Sequence, residues 1–328
     1  MDDIWHILRD GPILLNIDDI KEKPGPYTIS FGFDLRPLVR SIREFGLINA
    51  PIVTRGEDGC MDIVAGYRRI MALRSLRWKK VPCIDLSDSG LEPLELLLFN
   101  LHDNISTRRF NDVEKGMVLN RLIPFIPGKE IREHYMPLLD ISNTMNLDIL
   151  IRLEELDTQI KESIADGTLS LNATRLILDM DNRSRTAIFK WISNVKLNFN
   201  HQIQFIEYST DISIKEEKSI SELLDEEQIS RLLEDKRTNN PQKAKHVLDL
   251  LRSRRSPFLT RSEKTFKKNI SGLNLPQGVR IQHPPFFESP EYRLEILFRD
   301  GKELKEKIDS LAQIDRLKKV GDPWQEDS

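Results

Sequence analysis

The chain has 328 residues, 39% hydrophobic and 31% charged, which exceeds one ordinary domain and predicts two or three separate cores. Its 49 Lys and Arg against 52 Asp and Glu give a formal charge of −3, so no overall positive field draws the molecule to nucleic acid and any such contact must come from a local patch. Two cysteines without metal-ligand spacing exclude a disulfide scaffold and point to a reducing interior, while no apolar run approaches the ~20 residues of a membrane helix.

The acidic start at Met1 is unlike a signal peptide, so the expectation is a cytoplasmic protein with no membrane partner. From 13 to 84 short apolar runs alternate with helical spacing and Gly or Pro marks the junctions, the pattern of an α/β unit. Leu35, Leu38, Val39, Ile42 and Phe45 share one face of a helix that Gly46 ends. Strands are predicted at 52–54 and 61–65 around a turn at 56–59, followed by a helix from Tyr67 entered directly from Gly66. Helical spacing then fills 111–233. The polar stretch 236–243 reads as a loop or linker, with a short helix at 244–251 and a basic segment after it. Strands at 278–283 and 291–299, the second with Tyr292, Leu294, Ile296 and Phe298 on one face, and a helix over 301–319 close the chain as a small α/β module. The tail from Gly321 is expected to fray.

The segment with most chemical content is Ile63-Val-Ala-Gly-Tyr-Arg-Arg-Ile-Met-Ala-Leu73, where a strand meets a helix through Gly66 and two arginines occupy the first turn. First-turn amides have no intrahelical partner, the helix dipole favours negative charge there, and guanidinium forks bind phosphate, so the pattern describes an anion site suited to a polyphosphate. Arg68 and Arg69 point about 100° apart on a helix, so at least one should reach the anion, and as solvent-facing side chains they should add little to stability.

Three boxes in order resemble the ParB-like partition proteins. Residues 38–53, a helix followed by Gly-Leu, Pro and a strand, look like that family's N-terminal pattern. Gly66-Tyr-Arg-Arg69 is similar to its Gly-Glu-Arg-Arg box, with Val81-Pro-Cys matching the strand after it. Asp103-Asn-Ile-Ser-Thr-Arg-Arg-Phe-Asn-Asp-Val-Glu114 resembles its Glu-Asn-Ile box and the continuation. The resemblance, which covers about residues 13–180, implies a ParB/sulfiredoxin-like α/β N-terminal domain at 1–110 and an all-α helix-turn-helix-like domain at 111–235; with the linker and basic segment at 236–262 and the small α/β module at 263–328, the chain reads as an α+β multidomain fold. The resemblance further implies CTP or another nucleoside triphosphate held by Gly66, Tyr67, Arg68, Arg69, Asp103, Asn104 and Arg108, with Mg2+ near Asp103 and Asn104. DNA would be a partner, contacted by Asn143, Thr144 and Asn146 on a recognition helix over 143–155.

Departures from the family pattern qualify the chemistry. Tyr67 stands where the family has Glu and Asp103 is one methylene shorter than the usual Glu, so hydrolysis is expected to be weak or absent, at most that of a slow CTPase; Tyr27-Thr-Ile-Ser-Phe-Gly-Phe33 replaces a Gln-Pro-Arg segment, so a different base selectivity is expected. Acidic Asp148, Glu154 and Glu155 on the recognition helix disfavour DNA phosphates. The densest cationic run lies elsewhere: Arg252, Arg254, Arg255, Arg261, Lys264, Lys267 and Lys268, interleaved with Phe258 and Phe266, a pattern that neutralises phosphates without reading bases. The function expected is a nucleoid-associated, CTP-bound DNA switch or clamp, a homodimer with a possible partner ATPase. The alternatives are a non-catalytic scaffold or transcription regulator on the same fold, or an enzyme of that superfamily such as a nuclease or small-molecule kinase. Scattered histidines disfavour the nuclease, and Tyr67 in place of cysteine removes sulfiredoxin chemistry.

Overall fold

The structure is a computed structural model that describes residues 11–289 and 291–320; the acidic start and the tail expected to fray lie outside the described residues. The chain divides into two compact units, Met1–Gln202 and Ile203–Ser328. It is a mixed, helix-rich protein with an N-terminal α/β sheet, a helical middle region and small C-terminal strands.

In the first unit four strands, β1 (Ile13–Asn16), β2 (Ile52–Arg55), β3 (Met61–Ala65) and β4 (Lys80–Asp85), form a sheet of order β1-β4-β2-β3. β4 runs antiparallel to β1 and parallel to β2, and β2 pairs with β3 as a hairpin with an irregularity between Ile52 and Val53. Strand alternation sends Val53 and Ile63 into one core with Ile42, Ile70 and Leu73, and Ile52 and Val64 into another with Leu86 and Leu96. Helices α1 (Arg36–Phe45) and α2 (Tyr67–Ser75) cover the first face; α3 (Pro93–Ile105) packs on β3. The first helix and the β2–β3 hairpin follow the sequence pattern because their apolar runs have a 3.6- or two-residue period and end at Gly46, Gly56 and Gly66, although Phe45, expected on the buried face of the first helix, is exposed. Of the two cysteines, Cys60 is exposed in the β2–β3 turn and Cys83 is buried in β4, where burial pushes its thiol up to about 12.

The middle of the first unit comprises α4 (Asp112–Leu122), an irregular helical passage over 128–138 with a π-helical turn at Ile131–Tyr135, α5 (Thr144–Arg152), α6 (Thr158–Ala165), α7 (Leu171–Leu178) and α8 (Asn182–Val195). α4 packs against α5 and α6. Its Gly116 faces the Leu150 backbone so closely that an added Cβ would collide with that carbonyl.

The second unit runs from α9 (Phe199–Glu216), whose first turn belongs to the first unit, through α10 (Ile220–Asp225), α11 (Glu227–Glu234), α12 (Asn240–Arg255) and α13 (Pro257–Ser271). The antiparallel pair β5 (Val279–Gln282) and β6 (Arg293–Ile296) and α14 (Gly301–Ala312) follow. The stretch 236–262, expected as a linker, is instead helical over most of its length. Asn239 and Gln242 cap α12 reciprocally, and Ala244, Val247, Leu248 and Leu251 bury one face of it. The apolar strand face expected from the sequence is not closed over by the helix: Leu294 and Phe298 stay about half exposed at 50% and 51%, and on the helix Leu311 is buried whereas Ile308 is 48% exposed.

Arginines of the basic segment build this unit. Arg254 donates to Glu216 at 2.5 and 2.6 Å and to Glu226 at 2.5 and 2.8 Å. Arg255 pairs with Asp211 at 2.5 Å over the Tyr208 ring, and Arg252 pairs with Glu263 at 2.6 Å. Arg254, then Lys218, hold the Glu226 carboxyl down from 4.5 to about 2.

Packing and charge in these units can each be tested by one substitution. Gly116→Ala should gain helix propensity yet lose about 1–3 kcal/mol to the clash with Leu150, lowering the melting temperature by several degrees; an unchanged melting temperature would show that α4 and α5 have room there. For the acid limb the sign is set by Glu226: its folded value lies below its unfolded one, so its stabilisation is full above pH ~5 and is lost as pH falls toward 2. Urea unfolding followed by circular dichroism should show wild type weakening over that window, and Arg254→Met, less stable at pH 7, should show a shallower pH dependence; parallel curves would contradict the assignment.

Candidate anion site

β3 ends at Ala65 and the chain turns into α2 through Gly66, whose backbone is left-handed at φ +94°. A Cβ there would lie 3.1 Å from the Pro51 Cα and from the Arg69 guanidinium, so only glycine makes this junction without strain. Gly66→Val would therefore damage the turn itself, as well as any backbone approach to phosphate. The Gly66 carbonyl accepts from the amides of Arg69 and Ile70 and so opens the helix.

The two arginines diverge as their helical positions require. Arg69 donates to the carbonyls of Asn49 at 3.2 Å and Ala50 at 3.0 Å and reaches Asp103 at 3.4 Å, latching α2 to the chain entering β2. Arg68 turns the other way. Its Nη2 donates to Glu114 Oε1 at 2.8 Å, its guanidinium lies 4.9 Å over the Phe33 ring, and its Nε is buried without a partner. Burial lowers the basicity of both, for Arg68 with help from nearby Arg108. The sequence expectation of a solvent-facing pair is thus corrected: Arg68 is tied to a carboxylate only 1% exposed, and removing one partner of a buried ion pair costs about 3–5 kcal/mol when burial is complete.

Glu114 was legible only as the last letter of the third box, yet it organises the site. Its Oε1 accepts from Arg68 and from the Phe31 amide at 3.1 Å; its Oε2 accepts from Arg108 Nη1 at 2.6 Å and from the Asn111 amide at 3.2 Å. Arg108 also donates to Asn104 Oδ1 at 3.0 Å and to the Ile29 carbonyl at 2.7 Å, so all three of its nitrogens are engaged. Asn104 donates to Asn100, and buried Asn100 donates to the Val64 carbonyl just before the glycine turn. A polar chain thus runs from the Val64 carbonyl through Asn100, Asn104, Arg108 and Glu114 to Arg68, spanning the two sides of the Gly66 turn. Asn111 Nδ2 donates to the Phe31 carbonyl at 2.9 Å, so the 27–33 segment is bound over the arginines, and Phe33 meets Tyr67 edge to face at 6.0 Å.

The structure thus brings Gly66, Tyr67, Arg68, Arg69, Asp103, Asn104 and Arg108 into one cluster, with unequal freedom. Arg68 keeps Nη1 without a hydrogen-bond partner among the described residues. Asp103 is 38% exposed and keeps one oxygen clear of Arg69. Asn104 has its amide oxygen on Arg108. Magnesium takes hard oxygens and shares them with substrate phosphates, so Asp103 fits a metal arriving with a polyphosphate, whereas Asn104 would first have to release Arg108. Among the described residues no group of three or more His, Cys, Asp or Glu could hold a metal by itself.

The residues expected to meet DNA fall in two places. Asn143 caps α5, accepting from the Met145 amide at 2.9 Å; Thr144 is exposed and Asn146 half-buried, while Arg152 is held by Glu155 and Asp179. Arg252, Arg254 and Arg255 belong to the ion pairs of the second unit, whereas α13 carries Arg261, Lys264, Lys267 and Lys268, all of them exposed.

Comparison with known proteins agrees with the boxes. Residues 14–92 match the model of the ParB N-terminal domain. A probable chromosome-partitioning protein ParB of Chlamydia muridarum is 30% identical over 184 residues, covering 54% of this chain and 63% of the relative. A probable chromosome-partitioning protein ParB of Campylobacter jejuni is 28% identical over 195 residues, covering 58% and 66%. The chain therefore spans less than two thirds of either relative. The C-terminally truncated ParB of Caulobacter crescentus, complexed with CTP-gamma-S, aligns over 52% of this chain and 94% of that one at 22% identity with a TM-score of 0.27. No described helix is long and apolar enough to cross a membrane.

Proposed function

We propose that this chain, whose sheet domain is a ParB N-terminal domain, is a DNA-binding partition protein that holds a nucleoside triphosphate at the Gly66 turn. The observation that carries the reading is Arg68: it sits in the first turn of α2, fixed through one nitrogen and with further donors uncommitted, where a helix N-terminus favours an anion. CTP is the triphosphate that the family resemblance suggests, and a magnesium ion would enter with it, on Asp103. The metal would neutralise phosphate charge. Around it the chain's own groups bind and orient: Arg68 toward the phosphates, Arg69 holding the turn closed, the 27–33 segment limiting water. A binding role rather than a catalytic one is supported by the carboxylates, since Glu114 is neutralised by two guanidiniums and Asp103 is paired with Arg69.

Titration calorimetry with CTP, ATP, GTP and UTP, each with magnesium, tests this. One of them should bind, and Arg68→Ala should weaken it roughly ten- to a hundredfold, the equivalent of a charge-assisted hydrogen bond of about 1.5–3 kcal/mol. No binding at millimolar triphosphate would overturn the switch reading and leave a scaffold on the same fold.

DNA contact is proposed in two modes: α5 presenting Asn143, Thr144 and Asn146 to the groove, and α13 neutralising phosphates. Because Arg252, Arg254 and Arg255 are matched within the unit, they would have to surrender ion pairs to serve DNA. Replacing Arg261, Lys264, Lys267 and Lys268 together with Ala should flatten the salt dependence of duplex binding, by up to about 0.9 in log-log slope for each phosphate no longer neutralised. A slope unchanged by that quadruple variant would remove α13 from the interface. The half-exposed Leu294, Phe298 and Ile308 support dimerisation through the last module.

A further inference from the structure

We infer that Glu114 is the positioning residue of the anion site, acting through Arg68. This rests on the triphosphate reading above.

The carboxylate is fixed before Arg68 meets it. Two backbone amides from separate segments, Phe31 and Asn111, each bind one of its oxygens, and the side chain is 1% exposed, so its plane and position are set by the main chain. The Asn111 bond is half of a reciprocal cap, since Asn111 Oδ1 accepts from the Glu114 amide at 2.9 Å. A group held this way can hold another. Arg68 is long and otherwise free to sample many rotamers, and Nη2 on Glu114 together with the Phe33 ring confines its guanidinium to one place.

Arg108 takes a different part from the one the sequence implied. With Nε on Asn104, Nη1 on Glu114 and Nη2 on the Ile29 carbonyl, each of its nitrogens already serves a protein acceptor, and turning the guanidinium toward phosphate would break that chain of bonds. Its charge balances Glu114. One carboxylate against two guanidiniums leaves a single net positive charge, and the geometry leaves it at Arg68. Glu114 thereby selects which arginine faces the ligand.

A double-mutant cycle on the full chain separates this role from a structural one. Affinity for the best-binding triphosphate with magnesium is measured by calorimetry for wild type, Glu114→Gln, Arg68→Ala and the double variant, well below each melting temperature. Glu114→Gln should weaken binding about tenfold alone and less than about twofold beside Arg68→Ala. Equal weakening in both backgrounds would mean that Glu114 merely supports the fold, and tighter binding by Glu114→Gln would mean that its charge competes with the ligand; either overturns the inference. If Glu114→Gln does not fold, Glu114→Asp, which keeps the charge but withdraws it by one methylene, enters the same cycle with the same expected pattern. A wild type that binds no triphosphate removes the site reading and this role together, whereas binding without coupling removes only the role.

Discussion

A carboxylate buried to 1% exposure cannot stay charged without partners, because desolvating it costs several kcal/mol that only close, well-aligned donors offset. Glu114 meets that demand by drawing in four segments. α2 supplies Arg68, the end of α3 leads to Arg108, the 27–33 segment supplies the Phe31 amide, and the start of α4 supplies the Asn111 amide. The arrangement of the N-terminal domain around the glycine turn follows from this one group. The 27–33 segment is bound into the same network, its Ile29 carbonyl taking Arg108, its Phe31 amide donating to Glu114 and its Phe31 carbonyl accepting from Asn111.

Electrostatics are organised the same way in the second unit. Counting cations along the basic segment overstates its field, because Arg252, Arg254 and Arg255 face Glu263, Glu216, Glu226 and Asp211. Glu263 lies within the run, but Glu226 and Glu216 lie 28 and 38 residues upstream of Arg254 and Asp211 belongs to α9, so most of this matched charge is invisible to a local window. What remains for a polyanion is the exposed face of α13.

Legibility varied with the range of the interaction. The strand-glycine-helix passage around Gly66 was readable because strand period, helix period and the αL junction are all local. The helix over 240–255 was missed at its start, although Asn239, Pro241 and Gln242 spell a capping box, because the surrounding polarity suggested a loop. The roles of Arg68 and Arg108 could not be separated in sequence. Both are arginines within a family-like box, and only the three-dimensional arrangement shows that Arg108 is anchored through all three of its nitrogens and Arg68 through one. Glu114 did carry a local sign, the Asn-x-x-Glu spacing from Asn111, which announces a helix start and says nothing about the guanidiniums that its carboxylate also collects.

The pair of cysteines has a practical consequence. Thiol reagents attack the thiolate, and a buried sulfur whose pKa is pushed up to about 12 offers almost none at neutral pH, so Cys83 is silent. Cys60, at an exposed hairpin turn from which the arginine cluster takes no ligand, is left as a single chemical handle. A maleimide dye would mark this protein at one known atom without any substitution.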